Sequence, residues 1–203
     1  MKFWSRIAVS SWALSVATLA HADPLEALVA RLDALTAYSA GFIQQLRGPH
    51  GELLERSKGQ VLLLRPHFRW EITEPYPQII LADEQYLRVY DPDLAQVTLR
   101  ALDEVLADTP VSLLTQSGAD LAADFSVAQD GEGQAYVLEP LSLQSAYSQI
   151  RLAFDQDTLV GLSIVDQLGQ VTDIEFTPAP EGTVIQSSDF SLTLPAGTDV
   201  IGG

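Results

Sequence analysis

The sequence predicts a mainly β protein, an antiparallel meander of about ten or eleven strands with one N-terminal helix and one helical insertion. Short segments in which apolar and polar residues alternate recur along most of the chain, and turn residues separate them. A helical apolar pattern precedes these segments, and a second helical stretch interrupts them after residue 102. The alternation indicates a sheet with one apolar face, which must be covered by something else.

Residues 1–22 are expected to be a secretory signal peptide. Two basic residues begin it, 7–19 is mostly apolar, and the small-x-small cleavage rule is satisfied at Ala22. We therefore expect cleavage after Ala22 and a mature chain, residues 23–203, that folds as a single domain. The chain contains no cysteine, so no disulfide contributes to the fold.

The charge balance is strongly acidic, with 11 basic and 27 acidic side chains. Loss of Lys2 and Arg6 with the signal peptide leaves nine basic against 27 acidic side chains, a net charge of −18. A surface of this kind repels nucleic acid and anionic lipid headgroups. We expect no nucleic-acid partner, and we expect the mature protein to be a monomer.

The N-terminal helix is predicted to start at Asp23 and Pro24. An aspartate can cap the first turn, and proline fits the first helical position. Apolar residues at helical spacing then form one stripe, which we expect to pack against the sheet: Leu25, Leu28, Val29, Leu32 and Leu35.

Strands are predicted wherever the polarity alternates with period two. The first six lie at residues 38–47, 53–64, 68–73, 78–82, 86–90 and 95–102. Five more lie at residues 125–128, 136–138, 148–154, 159–165 and 171–177. Prolines and short polar groups separate them, so consecutive strands are expected to pair as hairpins.

Residues 103–123 predict short helices instead of strands. Thr109 can cap a helix, Pro110 can take its first position, and Gly118 can end a turn. Helices this short must dock on another element. The insertion offers apolar side chains for this purpose, among them Val111, Leu113 and Leu114.

Arg65 is a cation at the end of the apolar run 61–64, with Phe68 and Trp70 close behind it. Pro66 makes the Arg-Pro pair a corner between two strands. An unpaired cation would be costly in a dry core but useful at the mouth of an apolar cavity. The residues leave both interpretations open, a close-packed core or a lipid-sized pocket.

Patterns for catalysis or metal binding are weak. His50 and His67 have no partner at metal-ligand spacing, and no nucleophile motif or glycine-rich phosphate loop is present. Glu71 and Glu74 could form an acid/base pair, which is the enzymatic alternative. We expect no enzyme activity, no cofactor and no metal.

The stretch GQVLLLRPHFRW, residues 59–70, resembles the R-P-x-x-F-x-W region of the LolA family, periplasmic carriers of bacterial outer-membrane lipoproteins. Further segments are similar to the family in the same order: SAGFIQQLRG, QIILAD, LRVYDPDLAQVT, DTPVSLL and DFSLTLPAGTDVI. The resemblance covers residues 23–201. It implies an unclosed antiparallel β-barrel, lidded by helices, that holds acyl chains in the periplasm.

The resemblance also implies roles for individual residues. Arg65 matches the arginine that holds the lid to the barrel mouth, and Phe68 and Trp70 match the aromatics of the pocket. We expect the acyl chains to contact Val61, Leu63, Phe68, Trp70 and Ile72, under a lid that includes Val111, Leu113 and Leu114. The chain departs from the family at Leu64, where a lysine often precedes the Arg-Pro pair, so the mouth is less basic.

The implied partners are acylated lipoproteins, the inner-membrane ABC transporter LolCDE and the outer-membrane receptor LolB. A carrier of this kind accepts a lipoprotein from the transporter, crosses the periplasm and hands the lipoprotein to the receptor. A barrel that binds a small hydrophobic ligand outside the lipoprotein pathway is the alternative.

Overall fold

The structure is a computed structural model that describes residues 23–101, 118–131 and 134–202. The predicted signal peptide lies outside these ranges, as do the predicted lid residues Val111, Leu113 and Leu114. No helix within the described ranges is long and apolar enough to cross a membrane.

Twelve strands and short helices make up the described chain. The first six strands are β1 Ala37–Arg47, β2 Leu53–Leu64, β3 His67–Glu74, β4 Gln78–Ala82, β5 Tyr86–Asp91 and β6 Gln96–Ala101. The others are β7 Phe125–Asp130, β8 Ala135–Pro140, β9 Tyr147–Asp155, β10 Thr158–Asp166, β11 Val171–Pro178 and β12 Asp199–Ile201. The helices are α1 Pro24–Ala34, α2 Gly118–Asp124 and a 3-10 helix, Ser187–Phe190.

All twelve strands form one sheet in the order β12-β6-β5-β4-β3-β2-β1-β11-β10-β9-β8-β7. The first meander, β1 to β6, and the second meander, β7 to β11, are joined by antiparallel pairing of β1 with β11. Strands β7 and β12 remain as the two edges, so the sheet is not closed. The predicted mainly β, unclosed antiparallel architecture is thus confirmed, except that β12 pairs with β6 in parallel.

The sequence did not predict β12 or the pairing of β1 with β11. β12 has three residues, all of them exposed, so it lacks an apolar alternation. The β1–β11 ladder joins distant segments, for example Phe42 with Phe176. Hydrophobic periodicity identifies the faces of a strand but not its neighbours in the sheet.

Helix α1 begins as predicted. The Asp23 carboxylate accepts a hydrogen bond from the Leu25 N–H at 2.9 Å, and Pro24 occupies the first turn. Leu28 and Leu32 are fully buried in the main core. The predicted apolar stripe therefore attaches α1 to the inner face of the sheet.

Helix α2 begins at Gly118 and continues to Asp124, so the last part of the predicted helical stretch 103–123 is confirmed, whereas the residues of the turn predicted to end at Gly118 lie outside the described ranges. The sequence GADLAAD contains three alanines and one leucine, residues that favour helix. Leu121 is fully buried, and α2 contacts α1. This docking stabilises a helix that would be too short to form alone.

The chain after β11 lies on the outer face of the first meander. Arg69 donates hydrogen bonds to the carbonyl oxygens of Asp189 and Ser191 at 3.3 and 3.4 Å. The ring of His67 lies 5.6 Å from the ring of Phe190, and β12 then pairs with β6. Within the described ranges, the inner face carries α1, α2 and the cavity described next.

Candidate functional site

The inner faces of the two meanders enclose a cavity of about 580 Å³. Strands β3, β4 and β5 provide one wall, and β10 and β11 provide the opposite wall. Most lining side chains are apolar, and the polar ones include Gln44, Gln78, Gln170, Thr172, Asp166 and Arg100. Volumes of about 300–1,000 Å³ with few polar groups are typical of sites for small molecules and lipids.

Strand register determines which side chains face the cavity. Trp70 pairs with Ile80, and Ile80 pairs with Val89, so the three form a row across β3, β4 and β5. Their neighbours along the strands, such as Ile79 and Arg88, point to the outer face. The alternation that predicted the strands therefore also builds the apolar wall.

An aromatic cluster closes one side of the cavity. The rings of Phe42 and Trp70 stack with their centroids 3.9 Å apart, and Phe176 meets Trp70 edge-on at 6.2 Å. Gly59 makes room for this cluster, since a Cβ there would lie 2.8 Å from Phe42 Cζ and would overlap the Glu71 carbonyl oxygen. The close approach of ring and backbone therefore requires glycine.

Phe68, Trp70 and Ile72, three of the five predicted acyl-contacting residues, line the cavity. Val61 and Leu63 are fully buried in the core and are not among the lining residues. The predicted lid residues fall outside the described ranges.

Most of the wall was not predicted, because the residues that stand out in the sequence lie in the stretch around Arg65. The other apolar lining residues are Leu46, Ile80, Leu87, Val89, Tyr147, Leu162, Ile164 and Ile174. Their period-two alternation was visible in the sequence. Placing β10 and β11 opposite β3 to β5, however, requires the β1–β11 pairing.

Arg65 lies between β2 and β3 and binds the C-terminal end of α1. Its Nη2 donates a hydrogen bond to the Leu32 carbonyl oxygen at 2.7 Å, and its Nη1 lies 3.7 Å from Asp33 Oδ1. The last carbonyls of a helix have no intrahelical partner and carry partial negative charge, so a cation is favourable there. The predicted contact of Arg65 with the inserted lid falls on residues outside the described ranges.

Tyr38 connects the two meanders inside the fold. Its hydroxyl, on β1, donates a hydrogen bond to the Leu159 carbonyl oxygen, on β10, at 2.6 Å. Burial raises the pKa of the Tyr38 phenol well above its usual value. The phenol therefore stays neutral and keeps its donor function at neutral pH.

The carboxylates of the enzymatic alternative lie outside the cavity. Glu71 pairs with Arg69 at 2.7 Å, and Glu74 pairs with Lys58 at 2.7 Å. Neither carboxylate is among the lining residues. Across the part of the chain that the structure describes, no three His, Asp or Glu side chains converge as a metal site would require.

Comparison with known families identifies the chain. The family described as "Outer membrane lipoprotein carrier protein LolA" matches residues 33–193. The chain belongs to the LolA family. The outer-membrane lipoprotein carrier protein of Chromohalobacter salexigens is 34% identical over 201 residues, which cover 98% of this chain and 96% of that protein. The protein of the same name from Hahella chejuensis is 33% identical over 195 residues, 93% of each chain.

A solved structure supports the fold of this LolA-family chain. An uncharacterized conserved protein from Thermus thermophilus superposes with a TM-score of 0.53 at 16% identity, over 87% of this chain and 97% of that one. This likeness concerns the fold alone. The family resemblance predicted from the RPHFRW stretch is thus confirmed over most of the chain.

Proposed function

We propose that this LolA-family protein is a periplasmic carrier that binds the acyl chains of lipoproteins and delivers them to the outer membrane. The observation that carries the proposal is the apolar cavity of about 580 Å³ between the two meanders of an unclosed sheet. The family match and the names of the two bacterial relatives support it. The proposal includes LolCDE as the donor of the lipoprotein and LolB as its acceptor.

A carrier must release its cargo, so part of the free energy of binding has to be offset. Each buried methylene contributes about 0.8 kcal/mol, and roughly 45 methylenes on three acyl chains would contribute roughly 36 kcal/mol. Non-covalent binding reaches a ceiling of about 18–21 kcal/mol. The cargo is therefore buried incompletely, or its loading displaces part of the protein at a cost.

The contact of Arg65 with α1 can supply part of this cost. Displacing α1 from the inner face would break the hydrogen bond to Leu32 and separate Arg65 from Asp33. A hydrogen bond to a charged group is worth about 1.5–3 kcal/mol. Arg65 would then act as the latch that loading has to open.

Ile80→Glu tests the proposal, with Ile79→Glu as the matched control. Ile80 lines the cavity, whereas Ile79 precedes it on β4 and faces outward. Both residues are half-buried, so both variants should fold. Native mass spectrometry should show a synthetic triacylated lipopeptide bound to the wild type and to Ile79→Glu. Ile80→Glu should bind at least about tenfold more weakly, because acyl chains that cover this position would remove hydration from its carboxylate.

The fold of both variants is checked by thermal melting followed by circular dichroism. Equal lipopeptide binding by folded Ile80→Glu and by the wild type would overturn the proposal. Equal loss of binding in both folded variants would also contradict it, because the effect would then not depend on the cavity.

A further inference from the structure

Arg100 is a basic side chain on the inner face of the sheet. It lies on β6 opposite Leu87, and both side chains line the cavity. Arg100 is exposed, so a ligand in the cavity can reach its guanidinium. Within the described part of the chain, it is the single basic residue among the lining side chains.

Within the described ranges, Arg100 also differs from most cations in having no acidic partner. The described ranges contain nine basic side chains. Seven of them form an ion pair with Asp or Glu, and within these ranges Arg56 and Arg100 form none. Arg56 is exposed on β2 outside the cavity. An unpaired guanidinium beside an apolar wall favours a ligand that brings its own negative charge.

The cavity offers an apolar path that starts at Arg100. Arg100 lies in the same inward-facing row as Ala82, and Gln78 lies at the opposite end of β4. Ala82 lies four steps along the strand from Gln78, which is roughly 13 Å at about 3.3 Å per residue. Ile80 and Val89 line this interval. An extended chain can therefore lie along apolar side chains with its polar end at the guanidinium.

We propose that Arg100 makes the cavity a binding site for a long acyl chain that ends in an oxyanion, of which a fatty-acid carboxylate is the simplest case. The guanidinium presents its donors in a planar fork that matches the two oxygens of a carboxylate. This activity goes beyond carriage of lipoproteins, because esterified acyl groups carry no negative charge.

The test compares hexadecanoate with methyl hexadecanoate on the intact mature protein. Each ligand displaces an uncharged fluorescent hydrophobic probe at neutral pH and low salt. Hexadecanoate should bind the wild type at least about tenfold more tightly than its ester, since only the carboxylate can pair with Arg100. Arg100→Leu should remove this preference and leave the affinity for the ester unchanged. Arg56→Leu removes the other unpaired cation and should keep the preference.

Equal affinities of the wild type for acid and ester would overturn the proposal without any variant. A preference that survives in Arg100→Leu, or that disappears in Arg56→Leu, would overturn it as well. Arg100→Gln retains a polar side chain without the charge and should behave like Arg100→Leu. The Ile80→Glu experiment uses uncharged acyl groups, so failure of one proposal is distinguishable from failure of the other.

Discussion

The absence of a side chain at Gly59 lets the Phe42 ring and the Glu71 carbonyl oxygen lie close to the β2 backbone. Gly59 pairs with Phe42 on β1 and with Ile72 on β3. The Phe42 ring lies against it and stacks on Trp70, which lines the cavity. The aromatic side of the cavity therefore depends on this glycine.

Gly59→Ala should destabilise the fold, whereas Gly41→Ala should be nearly neutral. The new methyl at position 59 would overlap the Glu71 carbonyl oxygen and lie 2.8 Å from Phe42 Cζ, while at position 41 the nearest atom is the Gly59 carbonyl oxygen at 3.9 Å. Overpacking costs about 1–3 kcal/mol. Urea unfolding should show this loss for Gly59→Ala and a change within about 0.5 kcal/mol for Gly41→Ala. Equal unfolding midpoints for the two variants would contradict this role of Gly59.

Single residues were predictable where their chemistry is unusual or their partners are local. Asp23 was identified as a cap because its hydrogen-bond partner is two residues away. Phe68 and Trp70 stood out as large aromatics beside a cation, and both line the cavity. Ile80 and Val89 were missed because nothing in their type separates a cavity wall from a packed core.

Helix α1 is held on the inner face by two arginines. Arg65 binds the Leu32 carbonyl oxygen. The guanidinium carbon of Arg31 lies 5.6 Å from the ring centroid of Tyr136 and 5.2 Å from that of Phe154. A helix of 11 residues is marginal alone, so these contacts and the buried leucines keep it in place.

Arg65→Leu should loosen α1. Loss of the charged hydrogen bond, worth about 1.5–3 kcal/mol, should speed amide hydrogen exchange in α1 by roughly 10- to 150-fold. Arg56→Leu removes an exposed cation on β2, the strand that precedes Arg65. This variant should leave amide hydrogen exchange in α1 unchanged. Arg65→Leu should also release lipopeptide more slowly, because the return of α1 to the inner face would no longer re-form the Arg65 hydrogen bond to Leu32. Binding and release like those of the wild type would contradict the latch.

Strands were predictable where the alternation of apolar and polar residues is long and turn residues mark its ends. The bounds of β2 and β4 agree with the predicted 53–64 and 78–82, since a turn or proline residue flanks each strand. β12 was not predicted because its three residues are all exposed and show no alternation of apolar and polar side chains. The start of α2 at Gly118 depends on burial of Leu121, a tertiary effect that local residue preferences do not report.

The two meanders together form the cavity, and the β1–β11 ladder and the Tyr38 hydroxyl connect them. The pairing of β1 with β11 is the feature of the whole molecule that the sequence could not supply. Arg47 pairs with Val171, and no local pattern relates residues so far apart in the chain. The opposite wall of the cavity was unpredictable for the same reason.

Tyr38→Phe should lower the free energy of unfolding by about 1–3 kcal/mol, because the Leu159 carbonyl oxygen loses its buried donor. Burial raises the folded-state pKa of Tyr38, whereas an unfolded tyrosine titrates near pH 10. The stability that this group contributes is therefore full below about pH 10 and is lost as pH rises further. Urea unfolding at about pH 8 and about pH 11 should show a smaller difference between wild type and variant at the higher pH. An unchanged difference would contradict this role of Tyr38.

The first strand of the chain lies in the middle of the sheet, and this position matters while the newly made chain is still emerging. A polypeptide that emerges N-terminus first can assemble β1 to β6 long before β11 arrives to cover the free edge of β1. Open strand edges beside an apolar face template aggregation. A protein that is proposed to shield the acyl chains of others therefore needs its own open strand edge shielded until β11 has emerged.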